Sequence, residues 1–210
     1  MSEKPVTSRQ GEAIVDMAND KGLNCAQFQK AMDDGTWAMF LDSIKWGTVG
    51  IVPPRGARLH VVRIRVKLGR DWQEAVNSVR FGSTSMDNEV RQVGNQYIPV
   101  GSGEIEEEIV LINYPTGTVG DWWSALAWAK REGLYRTDPR EVFAIGQQYE
   151  DLLGTFGGSE VVVVATQECQ FQEEPQACFV WWHDTRCEAA LRWVLHFDVC
   201  SSWFAFRRQA

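Results

Sequence analysis

The stretch CFVWWHDTRC, from Cys178 to Cys187, places two thiols, an imidazole and a carboxylate close together in the chain. Cysteine, histidine and aspartate are common zinc ligands, and a cysteine beside a histidine is also the nucleophile pair of many hydrolases. The alternation of the flanking residues instead predicts a β-hairpin in which HDTR connects two strands. In such a strand Cys178 and Trp182 share one face while His183 lies on the other. The sequence therefore predicts a hairpin here, and no metal site.

A second arrangement could activate a thiol. His196 and Cys200 are separated by the spacing H-x3-C, and one turn of helix would bring the imidazole and the thiol together. The surrounding residues favour a strand-like segment, which would hold the two side chains apart. Cys200, His196 and His183 are the candidate catalytic residues of a cysteine- or histidine-dependent hydrolase, which is one alternative hypothesis for the function.

Other catalytic motifs are missing from the sequence. It contains no G-x-S-x-G elbow, no G-x-x-x-x-G-K-[ST] phosphate loop and no H-E-x-x-H helix motif. A three-histidine metal site would have to use His60, His183 and His196 together. We therefore expect neither a cofactor nor a metal.

Tryptophan is the unusual feature of the composition, with 10 residues in the chain. Trp181 and Trp182 are adjacent in a predicted strand, so their rings point to opposite faces, and at least one of them is either covered by a helix or partly exposed. Exposed aromatic rings are typical of surfaces that bind sugars or proteins. Trp181, Trp182 and Trp203 are accordingly candidate ligand-binding residues, and a carbohydrate-binding module is a second alternative hypothesis.

The overall charge argues against a nucleic-acid partner. The 210 residues carry a formal net charge of -7, whereas phosphate binding needs a clustered basic surface. Arg63, Arg65 and Lys67 alternate with apolar residues, a pattern typical of the solvent face of a strand. No apolar run approaches the roughly 18 residues of a membrane span, and the N-terminal residues lack the features of a secretory signal. We expect a cytoplasmic protein with no membrane partner.

The elements that would position these residues fall into two predicted regions. Residues 1–50 show helical spacing of apolar side chains in three short segments, and Asn24 is placed to cap the second of them. Residues 51–210 are predicted to form an α+β body. Its first strand is RLHVVRIRVKL, after which Asp71 caps a short helix in a capping box with Glu74. The polar, glycine-rich stretch that follows predicts a long loop with one strand at Gln96 to Val100.

The second half of the body has stronger signals. EIEEEIVLINY predicts a strand, and Asp121 caps a helix that Gly133 ends. The letters DPRE, starting at Asp138, form a capping box with proline in the first helical position, and this helix is predicted to run to Gly154. Four later segments rich in valine, phenylalanine and tryptophan predict a mainly antiparallel sheet. Residues 110–208 would thus form a unit of two helices packed on that sheet.

Two resemblances rest on this order of elements. The stretch DWWSALAWAKREGLYRTDPREVFAIGQ, followed by short strands and WFAFRR, resembles a group of uncharacterised small bacterial proteins from Val110 to Arg208. Two helices followed by tryptophan-rich strands are remotely similar to the C-type-lectin-like fold, including its formylglycine-generating enzyme branch. The lectins' calcium-binding triplets E-P-N and W-N-D and the enzyme branch's copper-binding cysteine pair have no match here. The second resemblance therefore implies a fold and no activity.

The sequence as a whole favours a non-catalytic cytoplasmic binding or protein-interaction protein. Its partner would be a protein, a small molecule or a glycan, and the basis is the surplus of tryptophan together with the missing motifs. The hydrolase and the carbohydrate-binding module remain the alternatives.

Overall fold

The computed structural model of the chain describes residues 8–33, 37, 41, 51–79, 85–99, 101–115, 120–149, 152, 156, 160–183, 186–197 and 201–208. The chain folds into two compact units, residues 1–45 and 46–210. The first unit contains helix α1 (Ser8–Asp20) and helix α2 (Cys25–Asp33).

The predicted cap of α2 is confirmed. The amide of Gln27 donates to the Asn24 side chain at 2.9 Å, and the amide of Asn24 donates back to the Gln27 side chain at 3.0 Å. Trp37 and Leu41 are also helical, but most of the predicted third helix lies outside the described residues.

The second unit is built on one eight-stranded sheet. Its strands are β1 (Arg58–Leu68), β2 (Gly103–Asn113), β3 (Tyr135–Arg136), β4 (Glu160–Ala165), β5 (Cys169–Phe171), β6 (Glu174–His183), β7 (Arg186–Trp193) and β8 (Ser202–Arg207). The main path runs β1, β2, β8, β4, β6, β5, while β3 pairs with β8 and β7 pairs with β6. These strand pairs are antiparallel except β4 with β8, which is parallel. The predicted α+β class, with a mainly antiparallel sheet, is confirmed.

Helices cover both faces of this sheet. They are α3 (Trp72–Ser78), α4 (Ser85–Gln92), α5 (Trp122–Arg131) and α6 (Pro139–Gln148). Apolar residues of α3, α4 and α6 belong to one buried cluster and those of α5 to the other, so we call the two sides of the sheet the α6 face and the α5 face. The body therefore has three layers around two cores, as expected when both faces of a sheet are apolar.

The alternation in β1 determines which of its side chains are buried. Val62, Ile64 and Val66 are buried on the α6 face, and the intervening Arg63, Arg65 and Lys67 are exposed. These basic residues lie opposite glutamates of β2 in the order Arg63 to Glu108, Arg65 to Glu106 and Lys67 to Glu104. Opposite charges facing each other across a strand pair stabilise the register by a few tenths of a kcal/mol each, or about 1 kcal/mol at most.

Short side-chain caps start the helices as predicted. Asp71 accepts hydrogen bonds from the amides of Gln73 and Glu74, which confirms the predicted cap but not the return bond from Glu74 that a capping box requires, and Asp121 accepts one from the amide of Ser124. Asp138 and Glu141 form a complete capping box at the start of α6, with Pro139 in the first turn. Because these signals act over three or four residues, the sequence alone can reveal them.

The opening stretch forms the predicted hairpin. β6 and β7 pair antiparallel up to His183 opposite Arg186, while Asp184 and Thr185 lie outside the described residues. Cys178 and Trp182 belong to the core of the α6 face, and Phe179 belongs to that of the α5 face, as the alternation requires.

Several sequence predictions are wrong in detail. The predicted loop after α3 contains helix α4, whose Val90 is fully buried, and Gln96 ends a 3-10 turn instead of starting a strand. The helix that begins at Pro139 ends at Gln148 and not at Gly154, since Tyr149 has an extended backbone. Val194–His196 forms a 3-10 turn where a strand was expected.

Candidate binding surface

Two of the three tryptophans proposed as ligand-binding residues are buried. Trp182 is 2% exposed and donates its indole N–H to the Tyr149 carbonyl at 3.2 Å, while Trp203 is 4% exposed and stacks on Phe156. Trp181 is partly exposed on the α5 face, where its indole N–H donates to Glu160 at 3.3 Å. These three rings, all of them described by the structure, therefore do not form an exposed platform.

The two candidate catalytic histidines lie in different elements, His183 at the end of β6 and His196 at the end of the 3-10 turn. His183 is partly buried, with its Nε2 3.7 Å from Glu188 and its ring 4.1 Å from that of Trp181. His196 is exposed at the end of the 3-10 turn and packs edge-on against Trp193. Cys200 lies outside the described residues, so the structure does not show its distance from His196.

The described thiols do not approach His183 as a nucleophile pair. Cys178 and Cys187 are buried in the core of the α6 face, whereas His183 follows the alternation onto the α5 face. Burial raises the pKa of the Cys187 thiol to about 12, which keeps it protonated and weakly reactive at neutral pH. Among the described residues, no group of three histidine, cysteine, aspartate or glutamate side chains could hold a metal ion.

Among the described residues of the body, the most exposed large aromatic side chains lie on and beside α5. Trp122 faces the core and is 2% exposed, so the next residue, Trp123, points away from the core and is 52% exposed. Tyr135 on β3 is 46% exposed. These two rings border a groove of about 660 Å³ that is also lined by Leu126, Leu134 and Phe206, and we call it the aromatic groove.

The charges around the aromatic groove have one sign. Lys130 and Arg136 are its ionised lining residues, and no carboxylate is found among the lining residues that the structure describes. The Arg136 guanidinium lies 3.9 Å from Glu168. The groove is thus an apolar surface with a basic border inside a protein of net negative charge.

A second groove of about 900 Å³ shares Tyr135 with the first, and we call it the charged groove. It lies where β8 ends beside β2, and its lining includes Ile105, Glu106, Glu107 and Arg207. Ionised side chains that line this groove contact one another: Glu108 lies 3.6 Å from Arg63 and 3.0 Å from Arg208.

A buried carboxyl group lies behind the charged groove. The Arg207 guanidinium is 3.1 Å from Glu141 and 3.5 Å from Glu107, and the amide of Asp138 donates to Glu141 at 2.7 Å. Burial, and then the neighbouring Glu107 carboxyl, raise the pKa of Glu141 to about 9, against the opposite effect of Arg207. Glu141 therefore holds a proton at neutral pH.

The sequence contained one signal for the aromatic groove. Trp122, Ala125 and Ala129 follow helical spacing on the buried side of α5, which leaves the adjacent Trp123 on the outer side. Nothing in the local pattern indicated that Tyr135 and Phe206, from distant parts of the chain, would complete the groove.

The two resemblances drawn from the sequence remain predictions. No helix in the described ranges is long and apolar enough to cross a bilayer. The function has to be argued from the surface itself, since no family model, no curated protein and no solved structure matches the chain.

Proposed function

We propose that this chain is a non-catalytic binding protein that takes a peptide segment of a protein partner into the aromatic groove. The observation that carries the proposal is that Trp123 and Tyr135, both exposed, line the same apolar groove. Tryptophan and tyrosine are among the residues that most often dominate the binding energy of protein interfaces.

The charge around the aromatic groove specifies the partner further. Lys130 and Arg136 border the groove, so a bound segment gains from acidic side chains next to its apolar anchor. Ammonium and guanidinium groups attract anions, whereas acid-base catalysis needs a group that titrates near neutral pH. These features support binding of a short segment with an aromatic or aliphatic anchor flanked by aspartate or glutamate.

Peptide display tests the proposal directly. A library of about 12-residue peptides is selected on the wild-type protein, and the enriched sequences are titrated calorimetrically against Trp123→Ala and against Leu195→Ala. Leu195 is 57% exposed on the 3-10 turn and lines neither groove, so it is the matched control. We expect peptides with an apolar anchor beside acidic residues, and a loss of about tenfold or more in affinity for Trp123→Ala only.

Two outcomes would contradict this function. Enriched peptides that bind Trp123→Ala as tightly as the wild type would show that the aromatic groove is not the site. A substrate that the protein converts, with turnover abolished by one polar substitution, would show that it is an enzyme.

A further inference from the structure

One edge of the sheet opens directly onto the charged groove. β2 pairs with β8 only from Ile109 to Asn113, because β8 ends at Arg207. The last contact beyond that pairing is the amide of Arg208, which donates to the Glu108 carbonyl at 3.0 Å. In the part of the chain that the structure describes, no strand pairs with Gly103–Glu107 on this side.

The backbone groups on this edge can be assigned from the alternation of the ladder. In an antiparallel strand, the N–H and C=O of one residue point to the same side, and those of the next residue point to the other. Since the Glu108 carbonyl points toward β8, the N–H and C=O groups of Glu106 and Glu104 point to the same side of β2, and Glu106 lines the charged groove there. Among the described residues, these four backbone hydrogen-bonding groups have no partner strand, so an added strand can pair with them.

Other sheet edges in this protein are covered by side chains that imitate a strand. The Gln148 amide exchanges both hydrogen bonds with the backbone of Arg65, at 3.0 and 2.8 Å. The Tyr149 hydroxyl contacts both backbone groups of Arg63. Gln96 exchanges both hydrogen bonds with Gln170 of β5, at 2.7 and 2.9 Å.

We infer that the edge of β2 from Gly103 to Glu107 binds an extended peptide of a partner protein by antiparallel strand addition, with lysine or arginine alternating with apolar residues. The new strand continues the line of β8, which is itself antiparallel to β2. This mode of recognition uses main-chain hydrogen bonds for affinity and alternate side chains for specificity. The inference goes beyond the proposed function because it concerns another surface and another partner chemistry.

The side chains of β2 determine the pattern of the partner. Glu104 and Glu106 lie on one face of the strand, and the Glu106 side chain is 74% exposed although Arg65 contacts it. Basic residues opposite these two glutamates gain favourable cross-strand pairs. Ile105 lies on the α6 face and packs against the core there, so an apolar residue opposite it extends that core.

The same geometry argues against a second copy of this chain as the occupant. The unpaired backbone groups of this described edge belong to Glu104 and Glu106, so an isologous pairing of two β2 edges places Glu106 opposite Glu106 in one register and Glu104 opposite Glu106 in the next. Like charges directly opposite each other destabilise a strand pair. A basic partner removes this repulsion and replaces it with attraction.

Backbone methylation of a test peptide distinguishes strand addition from simple ionic association. The probe is fluorescein-labelled Lys-Val-Lys-Val-Lys, titrated against the full-length protein by fluorescence anisotropy. In the proposed register, the lysines lie opposite Glu104 and Glu106 and their N–H groups donate to β2, whereas the valine N–H groups point away. We expect binding to be abolished by N-methylation of the lysines and retained after N-methylation of the valines.

Charge and exchange measurements complete the test. Glu106→Lys should weaken binding of the lysine peptide by about fivefold, while Glu174→Lys, at an exposed glutamate outside the charged groove, should not. Bound peptide should also slow hydrogen exchange of the Glu104 and Glu106 amides.

Equal binding of the two methylated peptides, or no binding of the unmethylated one at about 1 mM, would overturn the inference. Trp123→Ala serves as the cross-check, because it should leave this peptide's affinity unchanged.

Discussion

At the scale of single residues, Glu141 has two roles that conflict. Its side chain completes the capping box of α6 and contacts Arg207, which are roles that an ionised carboxylate fills well. It is also 3% exposed and adjacent to Glu107, and both conditions disfavour a second negative charge. Burial is the stronger effect, so the folded protein keeps a proton on Glu141 that the unfolded chain releases.

Because the folded protein keeps this proton, the free energy of unfolding should fall as the pH rises. The pKa of Glu141 is about 9 in the folded protein, against an ordinary value of 4.5. Its contribution to the free energy of unfolding is complete below pH 4.5 and is lost as the pH rises toward 9, at up to about 1.4 kcal/mol per pH unit. Glu141→Gln carries a neutral amide at every pH and should remove this part of the decline.

Urea unfolding of both proteins between about pH 5.5 and 8.5 measures the difference. The difference profile reports the titration of Glu141 together with its coupling to Glu107, because the remaining titrating groups are common to the two proteins. Parallel profiles, or a wild type that gains stability relative to Glu141→Gln as the pH rises, would show that the carboxyl is ionised in the folded state.

At the scale of elements, α6 lies close against the sheet at Gly146. A Cβ atom added there would lie 2.8 Å from Val180 of β6 and 3.3 Å from the sulfur of Cys187 on β7. Both neighbours are core residues, so they cannot move aside without disturbing their own packing. The missing side chain at this position therefore determines how near the helix lies to the sheet.

Gly146→Ala should destabilise the body although alanine is the better helix former. The overpacking is expected to cost about 1–3 kcal/mol, which exceeds the gain in helix propensity of about 1 kcal/mol at its upper end. Val180→Ala removes the obstructing methyl groups, so the double variant should be more stable than the sum of the single effects by more than about 0.5 kcal/mol. Chemical denaturation of the four proteins gives this coupling, and strictly additive effects would rule out the contact.

The same scale shows which elements were predictable from the sequence. Patterns of two to four residues predict the strands β1 and β2 and the helix caps at Asp71, Asp121 and Asp138. All of these are confirmed. Helix α4 was missed because its sequence SMDNEVRQ is mostly polar, and burial of Val90 depends on contacts with distant residues. The binding surface was missed for the same reason: Trp123 has a local signal, but the aromatic groove exists only where β3, α5 and the end of β8 meet.

At the scale of the whole molecule, β8 joins the two cores. Trp203 belongs to the core of the α6 face and Phe204 to that of the α5 face, and the strand lies between β2 and β4. Phe204 is fully buried and packs edge-on against Trp122 at 5.9 Å. A substitution on one side of this strand is therefore expected to affect the packing of both cores.

Phe204→Ala should destabilise the body by about 3–5 kcal/mol, since it leaves a large cavity beside the central strands. Because one strand serves both cores, hydrogen exchange of amides in β1 and in β7 should accelerate together, and both should follow a single unfolding transition. A variant that loosens β7 but leaves β1 fully protected would show that the two cores unfold independently.

The place of β8 in the sheet has a consequence for how the body reaches this arrangement. Its neighbours β2 and β4 both come earlier in the chain, yet neither pairs with the other, so the space between them has to stay open until the later strand arrives. The β6–β7 hairpin forms from local contacts, whereas pairing of β1 with β2 closes a loop that contains α3 and α4, and the central pairing of Val110 with Phe206 closes a loop of about a hundred residues. Such non-local closure is slow compared with hairpin formation. Until β8 pairs, the edges of β2 and of the valine-rich β4 remain exposed in the partly folded chain. The rate of folding should thus be limited by the pairing of β8, and the partly folded chain that precedes this step is the form most prone to aggregate.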